Sequence, residues 1–304
     1  MDFDVIVLGD YCLDLIFTGL PGMPMLGTEI EAKALAMEPG GACNTALALH
    51  RLGVNTAWAV EFGTDDFSQF VLQKFRDEHF PEDLFVFSNK AVRKITVSLS
   101  FPDDRAFIAY YDSGKMIQTA LKGLTARTAK MIIIPSFFSG PALQAGYLIA
   151  NSKKMQIFMD GNTSFDQTFT DAQVRDVLGK VRIFSANKAE AFLMTKIENI
   201  QEAAKYLGRY CHTVIIKDGG NGAYCCDDGK LYFKPAIPVK VIDTTGAGDC
   251  FNAGFIKAWL EKKGIQECLR WGNAAGGLST TKSGANNFRL SENEIKKVIN
   301  GRKI

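Results

Sequence analysis

Short apolar runs recur along the chain between turn residues. Six of them stand out in the sequence, at positions 5–9, 56–60, 131–134, 156–159, 182–185 and 214–217. Their apolar residues follow one another instead of alternating with polar ones, which is typical of strands buried on both faces of a parallel sheet. We therefore expect a parallel sheet at the centre of the fold.

Segments with apolar residues at helical spacing separate several of these strands, at positions 44–52, 67–79, 189–195 and 200–209. Alternation of strands and helices predicts helices packed on both faces of one sheet. The predicted fold class is therefore α/β, with a mostly parallel central sheet.

Two further β-rich runs, 96–101 and 106–111, flank the turn-rich sequence Pro-Asp-Asp-Arg at 102–105. A turn between two such runs predicts an antiparallel hairpin. This hairpin lies outside the strand–helix alternation, so we expect it to form a small β-lid beside the main sheet. No internal repeat or long polar linker divides the chain.

Composition narrows the class of protein. Hydrophobic residues make up 47% of the 304 residues, enough for a large buried core. The net charge of +2 is too small for the basic surface that nucleic-acid binding requires. The seven cysteines contain no Cys-x-x-Cys pair, which favours free thiols and a cytoplasmic location. The acidic start does not resemble a signal peptide, and no apolar run approaches the ~20 residues of a membrane span.

The segment 243–255 carries the strongest chemical signal. Gly246, Ala247 and Gly248 precede Asp249 and a long apolar helix. Small residues before a helix let a phosphate approach unpaired backbone N–H groups, so they predict an anion hole. Asp249 is then a candidate general base for a hydroxyl proton, as in other phosphotransferases. The alternative is an acid that only favours the helix N-terminus.

A second glycine pair precedes another helix and points to a ligand that carries hydroxyl groups. Gly40 and Gly41 permit close approach, and Asn44 offers both donors and an acceptor, although two glycines before a helix are more often only a turn. Asp10 and Asp14 follow the first strand, where open α/β sheets bind their ligands. We favour Asp14 as the ligand-binding residue and expect Asp10 to be a solvated turn acid or a helix cap.

Asn187 and Glu190 directly follow a strand and share one helix face. Glu190 can bind Mg²⁺ through water and Asn187 can reach a phosphate. A capping box, with Asn187 as N-cap and Glu190 at the third helical position, explains the same spacing.

Two more loops follow strands at the same predicted edge. Lys217, Gly219 and Gly222 belong to a loop that either wraps a nucleotide phosphate or is a simple β-turn. Asp160 and Asn162 either form a polar wall of the site or a turn.

Taken together and in this order, these segments resemble the ribokinase-like (PfkB) carbohydrate kinase family. Its first signature is similar to residues 40–46 with Gly53 and Gly63, and its second to residues 243–256. The Asn187/Glu190 pair resembles the Asn-x-x-Glu motif of the family, and residues 273–285 resemble its C-terminal adenine and cation segment. Two long signatures in register are far more specific than one glycine loop.

The resemblance implies a three-layer ribokinase-like sandwich, formed by one domain over 1–304 with lid segments near 12–38 and 92–112. It implies transfer of a phosphoryl group from ATP to an alcohol group of a sugar, with Asp249 as base and the anion hole at 246–248. Asp14, Gly40, Gly41 and Asn44 would bind the sugar. Lid closure would exclude water, which competes with the sugar as acceptor.

The resemblance also assigns the nucleotide and the cations. Nucleotide-binding residues would be Asn187, Lys217, Gly219, Gly222 and Asn273, with Mg²⁺ held by Glu190 through water. The monovalent cation common in the family, such as K⁺, would involve Asp243, Thr245, Ser279 and Gly284. A homodimer that forms through the lid is a further expectation.

Two other activities remain open at this stage. A nucleoside kinase of the same fold would place an aromatic lid against a base, for which Phe101, Phe107, Tyr110 and Tyr111 are available. A dinucleotide-dependent oxidoreductase is less compatible, because the first strand is not followed by the Gly-x-Gly-x-x-Gly turn that a pyrophosphate needs.

Overall fold

A computed structural model describes residues 1–102, 104–112, 114–163, 167–282, 284–286 and 288–301 of the protein. This part of the chain contains thirteen strands: β1 (Phe3–Leu8), β2 (Tyr11–Thr18), β3 (Ala34–Gly41), β4 (Thr56–Phe62), β5 (Phe85–Phe87), β6 (Lys94–Ser100), β7 (Arg105–Tyr111), β8 (Ala129–Ile134), β9 (Gln156–Asp160), β10 (Ile183–Asn187), β11 (Thr213–Lys217), β12 (Ala223–Asp227) and β13 (Lys230–Lys234).

Ten α-helices lie in the same described ranges: α1 (Ala42–Arg51), α2 (Asp66–Asp77), α3 (Met116–Ala126), α4 (Pro141–Ser152), α5 (Asp171–Leu178), α6 (Lys188–Thr195), α7 (Ile200–Leu207), α8 (Ala247–Leu260), α9 (Ile265–Ser279) and α10 (Glu292–Ile299). The predicted strands and helices are confirmed, with small shifts at their ends.

The central sheet has nine strands in the order β13-β12-β11-β10-β9-β8-β1-β4-β5 within the described residues. Its strands from β11 to β5 pair in parallel, and β12 and β13 add an antiparallel edge. The expected mostly parallel sheet is therefore present.

Each central strand contributes side chains to two separate cores. In β1, Val5 and Val7 pack with residues of α1, α2, α8 and α9, whereas Ile6 and Leu8 pack with residues of α3 to α7. Successive side chains of a strand point to opposite faces, so the sheet is covered by helices on both sides. The chain thus forms the three predicted layers.

A second sheet of four strands stands beside this sandwich, in the order β3-β2-β6-β7. Strands β6 and β7 are antiparallel and contain the predicted hairpin, which confirms that prediction. We call this second sheet the lid sheet.

The lid sheet joins the sandwich through an ion pair. Asp10 lies between β1 and β2 and pairs with Lys94, the first residue of β6, whose side chain is 3% exposed. Burial is the main cause that raises the pKa of Asp10. The prediction of a solvated turn acid or helix cap at Asp10 was therefore wrong. Asp10 is a charged contact at the point where the chain passes from one sheet to the other.

Close packing of α8 on α9 depends on residues without side chains. A Cβ atom on Gly254 would lie 2.6 Å from the carbonyl oxygen of Trp271, and one on Gly276 would lie 3.0 Å from that of Ala247. The backbones of the two helices therefore approach closely. This contact fixes the start of α8, where the predicted anion hole lies, against the end of α9.

Two further findings bear on the predictions from composition. Within the described ranges, every helix is too short or too polar to cross a bilayer. All seven cysteines are free thiols, and six of them are buried.

Candidate active site

The loop before α8, where the sequence predicts an anion hole, leads into the first turn of that helix. Gly246 is the N-cap of α8 with φ 72°, a left-handed conformation that favours glycine. A Cβ atom there would also lie 2.6 Å from the Cβ atom of Ala285. The N–H of Ala247 donates to the carbonyl of Thr244 at 3.2 Å. The amides of Gly248 and Asp249 belong to the first helical turn, where N–H groups have no partner within the helix.

Asp249 is held by two residues from the first turn of α1. The hydroxyl of Thr45 donates to Oδ1 of Asp249 at 2.6 Å, and Nδ2 of Asn44 lies 3.4 Å from Oδ2. Burial raises the pKa of Asp249 to about 6, although the hydrogen bond from Thr45 lowers it. A carboxylate with a pKa near neutrality is well suited to accept a proton.

Asn44 also has a partner on the C-terminal segment. Its Oδ1 accepts a hydrogen bond of 2.8 Å from Nδ2 of Asn286, which also donates to the carbonyl of Pro39. Asn286 thus links the first glycine segment to the segment predicted to bind a cation. Sequence reasoning missed both Asn286 and Thr45. For Thr45 the available signal was its place beside Asn44 on the same helical turn.

The glycine pair does not form a plain turn. Gly40 and Gly41 end β3 and pair with Cys12 and Tyr11 of β2. A Cβ atom on Gly40 would overlap Oδ2 of Asp14 and lie 2.8 Å from Sγ of Cys12. Gly41 has φ 66°, and a Cβ atom there would lie 2.8 Å from the carbonyl oxygen of Asp10. Both positions therefore require glycine for close approach.

Asp14 lies on the lid sheet beside these glycines. Its Oδ1 accepts a hydrogen bond of 3.1 Å from the thiol of Cys12. Burial raises the pKa of Asp14, and the charge of Glu38 acts in the same direction. Burial raises the pKa of the Cys12 thiol, and the charges of Asp14 and Asp249 act in the same direction.

A cavity of about 620 Å³ lies between the lid sheet and the loop before α8. Asp14 and Glu38 line it together with the hydroxyl groups of Thr96, Ser98 and Ser100. These three residues alternate along β6, so their side chains share one face of the strand. Asp243 and Thr245 of the loop form the opposite wall. The lining of this cavity is therefore rich in groups that can hydrogen-bond to the hydroxyls of a ligand.

A second cavity, of about 340 Å³, lies on the other side of the same loop. Of the residues predicted to bind nucleotide, four line it: Lys217, Gly219, Gly222 and Asn273. Ala247 and Gly248 of the predicted anion hole line it as well. The amide nitrogen of Asn273 donates to the carbonyls of Lys234 and Pro235, at 2.9 and 3.0 Å, and so anchors the end of β13 beside the cavity.

Lys217 is part of a buried polar network. Its Nζ lies 2.9 Å from Oδ2 of Asp160, which also accepts a hydrogen bond from Asn252. The Asn252 side chain in turn accepts a hydrogen bond of 2.8 Å from Ser185. Burial alone would lower the pKa of Lys217, but the charge and hydrogen bond of Asp160 outweigh it and raise the pKa.

Lys217 also borders the start of α8. A Cβ atom built on Gly248 would lie 3.3 Å from its Nζ. Of the two interpretations of Asp160 and Asn162, the turn is the one observed, because Oδ1 of Asp160 accepts the N–H of Asn162 at 2.9 Å. Neither residue is among the described residues that line the two cavities.

Asn187 and Glu190 form the capping box. Oδ1 of Asn187 accepts the N–H of Glu190 at 2.9 Å, and Oε2 of Glu190 accepts the N–H of Asn187 at 2.7 Å. The capping interpretation is thus confirmed, and one oxygen of Glu190 stays outside this pair of bonds. Burial, followed by the charge of Asp160, raises the pKa of Glu190 to about 7. Asn187 is not among the described residues that line the 340 Å³ cavity.

Three of the four residues predicted to hold a monovalent cation meet through hydrogen bonds. Oδ1 of Asp243 accepts from the N–H and hydroxyl of Thr245, at 2.9 and 2.7 Å, and Oδ2 accepts from the N–H of Gly284 at 2.9 Å. These bonds outweigh the effect of burial and lower the pKa of Asp243. Ser279 is buried, and its hydroxyl donates to the carbonyl of Gly276 within α9.

Comparison with known proteins supports the resemblance of the motifs. The family model described as pfkB family carbohydrate kinase matches residues 3–292. The chain belongs to this family. A protein of Archaeoglobus fulgidus described as an uncharacterized sugar kinase is 28% identical over 249 residues, which covers 79% of the chain and 96% of the relative.

Solved structures support the fold. Arabidopsis thaliana ribokinase, in complex with ribose and ATP, matches with a TM-score of 0.82 at 21% identity, covering 98% of this chain and 99% of the other. A Methanocaldococcus jannaschii nucleoside kinase matches with a TM-score of 0.79 at 19% identity, covering 98% and 99%. The three-layer ribokinase-like fold is thereby confirmed. By its family this chain is a kinase, so the oxidoreductase alternative has no support.

Proposed function

We propose that the protein transfers the γ-phosphoryl group of ATP to a hydroxyl of a sugar or sugar derivative, with Asp249 as general base. The position of the loop 243–248 carries this proposal. One side of the loop borders the hydroxyl-rich cavity under the lid sheet, and the other borders the cavity with Lys217 and the glycines. Asp249 follows directly after the loop. Acceptor and nucleotide would thus approach the anion hole from opposite sides.

In the reaction the acceptor hydroxyl gives its proton to Asp249, and its oxygen forms a bond to the γ-phosphorus. The bond from that phosphorus to the β-γ bridging oxygen breaks, and ADP leaves. The Thr45 hydroxyl bonds to Oδ1 at 2.6 Å, whereas Asn44 makes only a long contact of 3.4 Å to Oδ2, so we assign Oδ2 of Asp249 as the proton acceptor.

The anion hole at Gly246, Ala247 and Gly248 would stabilise the charge on the transferred group, as donors aimed at developing charge do. Its donors would be the N–H groups of Gly246 and Gly248, because the N–H of Ala247 is bonded to the carbonyl of Thr244.

The acceptor would bind with its hydroxyls to Asp14 and Asn44, while Gly40 and Gly41 allow it to come close. The lid sheet would exclude water from the reacting groups. We propose that the protein is a single kinase domain, in which the segments near 12–38 and 92–112 form the lid that excludes water. Ile108 exposes its apolar side chain and follows Phe107 on β7, so it lies on the face that points away from the cavity. This supports the predicted homodimer through the lid.

A sugar fits the cavity better than a nucleoside. Of the four aromatic residues considered for a nucleoside lid, Phe107 lines the cavity, and Tyr111 donates to or accepts from Thr96 at its edge. Tyr110 bonds instead to Asp112, away from the cavity wall. The β6 wall carries hydroxyl groups where a base would need apolar or aromatic surface. A nucleoside acceptor that stacks on Phe107 is the second candidate.

The nucleotide would occupy the smaller cavity, with Lys217, Gly219 and Gly222 at its phosphates and Asn187 and Asn273 nearby. Mg²⁺ neutralises phosphate charge in such reactions. Among the described residues, no group of three or more acidic, histidine or cysteine side chains can hold a metal. This fits an ion that arrives with the nucleotide and meets Glu190 through water.

A monovalent cation such as K⁺ would bind at Asp243, Thr245, Ser279 and Gly284. Asp243 is the main support for this site, because its carboxylate joins Thr245 to Gly284 and retains lone pairs for a cation. Its effect would be to hold the anion-hole loop in place. We keep a cytoplasmic location as a prediction, because the free and mostly buried cysteines match a reducing compartment.

The direct test is an ADP-release screen with ATP and Mg²⁺ across ribose, fructose, 2-keto-3-deoxygluconate, inositols, fructose phosphates and nucleosides. We expect release that depends on a sugar or sugar derivative, with a phosphorylated product detected by mass spectrometry. Release that depends on nucleosides alone would replace the sugar by the second candidate. The absence of any acceptor-dependent release would contradict the proposed function.

A further inference from the structure

The side chain of Asn286 bridges two parts of the proposed acceptor site. Its Nδ2 donates a hydrogen bond of 2.9 Å to the carbonyl of Pro39, the residue before Gly40, and one of 2.8 Å to Oδ1 of Asn44. An amide nitrogen carries two hydrogens and accepts no hydrogen bond, so these two bonds use both of its donors. Asn286 thus ties the C-terminal segment to the end of β3 and to the first turn of α1.

These bonds determine which way the amide of Asn44 faces. The carbonyl of Pro39 can only accept, so Asn286 turns its nitrogen toward β3 and α1. Asn44 must then offer its oxygen to that nitrogen. The nitrogen of Asn44 is left on the side of Asp249, 3.4 Å from Oδ2 of the carboxylate. Asn44 therefore presents hydrogen-bond donors to Asp249 and to a bound sugar.

The reversed amide would have the opposite effect on the proposed base. With the oxygen of Asn44 toward Asp249, two groups that only accept hydrogen bonds would face each other. Burial is the main cause that raises the pKa of Asp249 to about 6, and the hydrogen bond from Asn44 acts against it. Loss of this bond therefore favours the protonated form of Asp249, which cannot take a proton from the sugar hydroxyl.

The backbone of Asn286 is held in place as well. Nη1 of Arg51, the last residue of α1, donates to the carbonyls of Asn286 and Phe288 at 2.9 and 3.4 Å. Nη2 of the same guanidinium pairs with Glu78 at 2.6 Å. The side chains of Arg51 and Glu78 are 11% and 18% exposed, so the pair is mostly buried. This charge-assisted contact anchors the backbone of Asn286 against the end of α1.

We propose that Asn286 is a positioning residue for phosphoryl transfer. Without touching the reacting atoms, it holds the amide of Asn44 in the orientation that donates to Asp249 and to the bound sugar. The inference rests on the proposed function and adds to it a residue of the C-terminal segment.

The test removes the donors of Asn286 in two ways. Asn286→Leu keeps the approximate size of the side chain without adding a charge. Asn286→Asp keeps the shape and polarity, so it decides if the leucine variant does not fold, but its carboxylate donates no hydrogen bond. Asn286→Gln retains an amide donor and is the conservative variant. Asn55→Leu is the matched control, because Nδ2 of Asn55 also donates to a carbonyl, that of Asp2, at the start of β4.

For each variant, kcat, the KM values of ATP and of the best sugar, and the pH profile of kcat are measured together with urea unfolding. Asn286→Leu and Asn286→Asp should raise KM for the sugar by about 3- to 10-fold, as loss of one oriented hydrogen bond does, with KM for ATP nearly unchanged. The acidic limb of the pH profile should move to higher pH by about half a unit or more. Asn286→Gln should retain part of the wild-type behaviour, and Asn55→Leu should retain all of it.

A double-mutant cycle separates positioning from a purely structural role. In an Asn44→Ala background there is no amide to orient. Asn286→Leu should then change neither KM for the sugar nor the pH profile any further. If Asn286 only stabilised the fold, its replacement would have the same effect in both backgrounds.

Two results would overturn the inference while leaving the proposed function intact. In the first, the wild-type enzyme phosphorylates a sugar, and the Asn286 variants that lack the donor keep its KM for the sugar and its pH profile. In the second, Asn286→Leu adds its full effect to that of Asn44→Ala. The absence of sugar-dependent ADP release by the wild-type enzyme would instead contradict the proposed function itself.

Discussion

The hydroxyl of Thr45 donates a hydrogen bond of 2.6 Å to Oδ1 of Asp249. This contact joins the first turn of α1 to the first turn of α8, and so connects the two signature segments of the chain. The hydrogen bond favours the charged form of the Asp249 carboxylate. Burial acts in the opposite direction and raises the pKa of this carboxylate to about 6. Thr45 would therefore tune the proposed base without touching the substrate.

Thr45→Val should shift the pH dependence of kcat. A general base acts in its ionised form, so wild-type activity should fall as the pH drops below about 6. Removal of the hydroxyl takes away a bond that lowers the pKa, so the acidic limb should move to higher pH by about one unit. The profile is measured from pH 5 to 9 with stable folding checked at each pH. Thr45→Ser retains the donor and should keep the wild-type profile; an unchanged Thr45→Val profile would contradict the tuning role.

Gly40→Ala should damage the acceptor site selectively. The new methyl group would overlap Oδ2 of Asp14 and displace the carboxylate from the sugar. We expect KM for the acceptor to rise by about tenfold or more, as expected when a charged hydrogen bond is lost, while KM for ATP changes little. Gly22→Ala is the control, since a Cβ atom there meets no other atom within 4 Å. Equal increases of both KM values would argue against this assignment.

Lys217→Met should lower both stability and nucleotide affinity. The side chains of Lys217 and Asp160 are 13% and 10% exposed, so the variant leaves a buried carboxylate without its cation. Loss of one partner of a buried pair costs about 3–5 kcal/mol in the free energy of unfolding. Urea unfolding and ATP titration measure the two effects.

The double variant Asp160→Asn/Lys217→Met separates the loss of stability from the loss of ATP affinity. It should regain part of the stability, because the uncompensated charge is gone, but not the ATP affinity. Lys230→Met, at the exposed start of β13, should leave both unchanged. If the double variant is no more stable than Lys217→Met, then the charge balance is not the cause.

Potassium chloride should stimulate turnover relative to choline chloride at equal ionic strength. The cation would act through the carboxylate of Asp243, which holds the segments around Thr245 and Gly284 together. Asp243→Asn should abolish the difference between the two salts. Equal rates in both salts for the wild-type enzyme would contradict the proposed cation site.

The sequence was most informative where local rules decide the structure. Apolar runs of strand length and helical spacing predicted the central sheet, and the turn at 102–105 predicted the hairpin of the lid sheet. Asn187 and Glu190 were identifiable as a capping box because both partners lie within one helical turn. These interactions involve residues close together in the chain.

Contacts between distant segments could not be predicted in this way. The Thr45 hydroxyl meets Asp249 across 204 positions, and Asn286 meets Asn44 across 242. Asp10 was mistaken for a solvated acid because its partner, Lys94, is brought to it only when β6 joins the lid sheet. Such pairs depend on the order of strands and helices in space, which local spacing does not contain.

The most direct measurement is the kcat of Asp249→Asn, determined together with ATP affinity and melting temperature. The amide keeps the size of the side chain but cannot accept the proton, so kcat should fall by about 10²–10⁴. ATP binding should stay the same or become tighter, because one negative charge near the γ-phosphate is removed. An acid that only favours the helix N-terminus would cost about 0.3–1 kcal/mol of stability and leave turnover nearly intact. A folded Asp249→Asn enzyme with more than about a tenth of the wild-type kcat would contradict the assignment of Asp249 as the base.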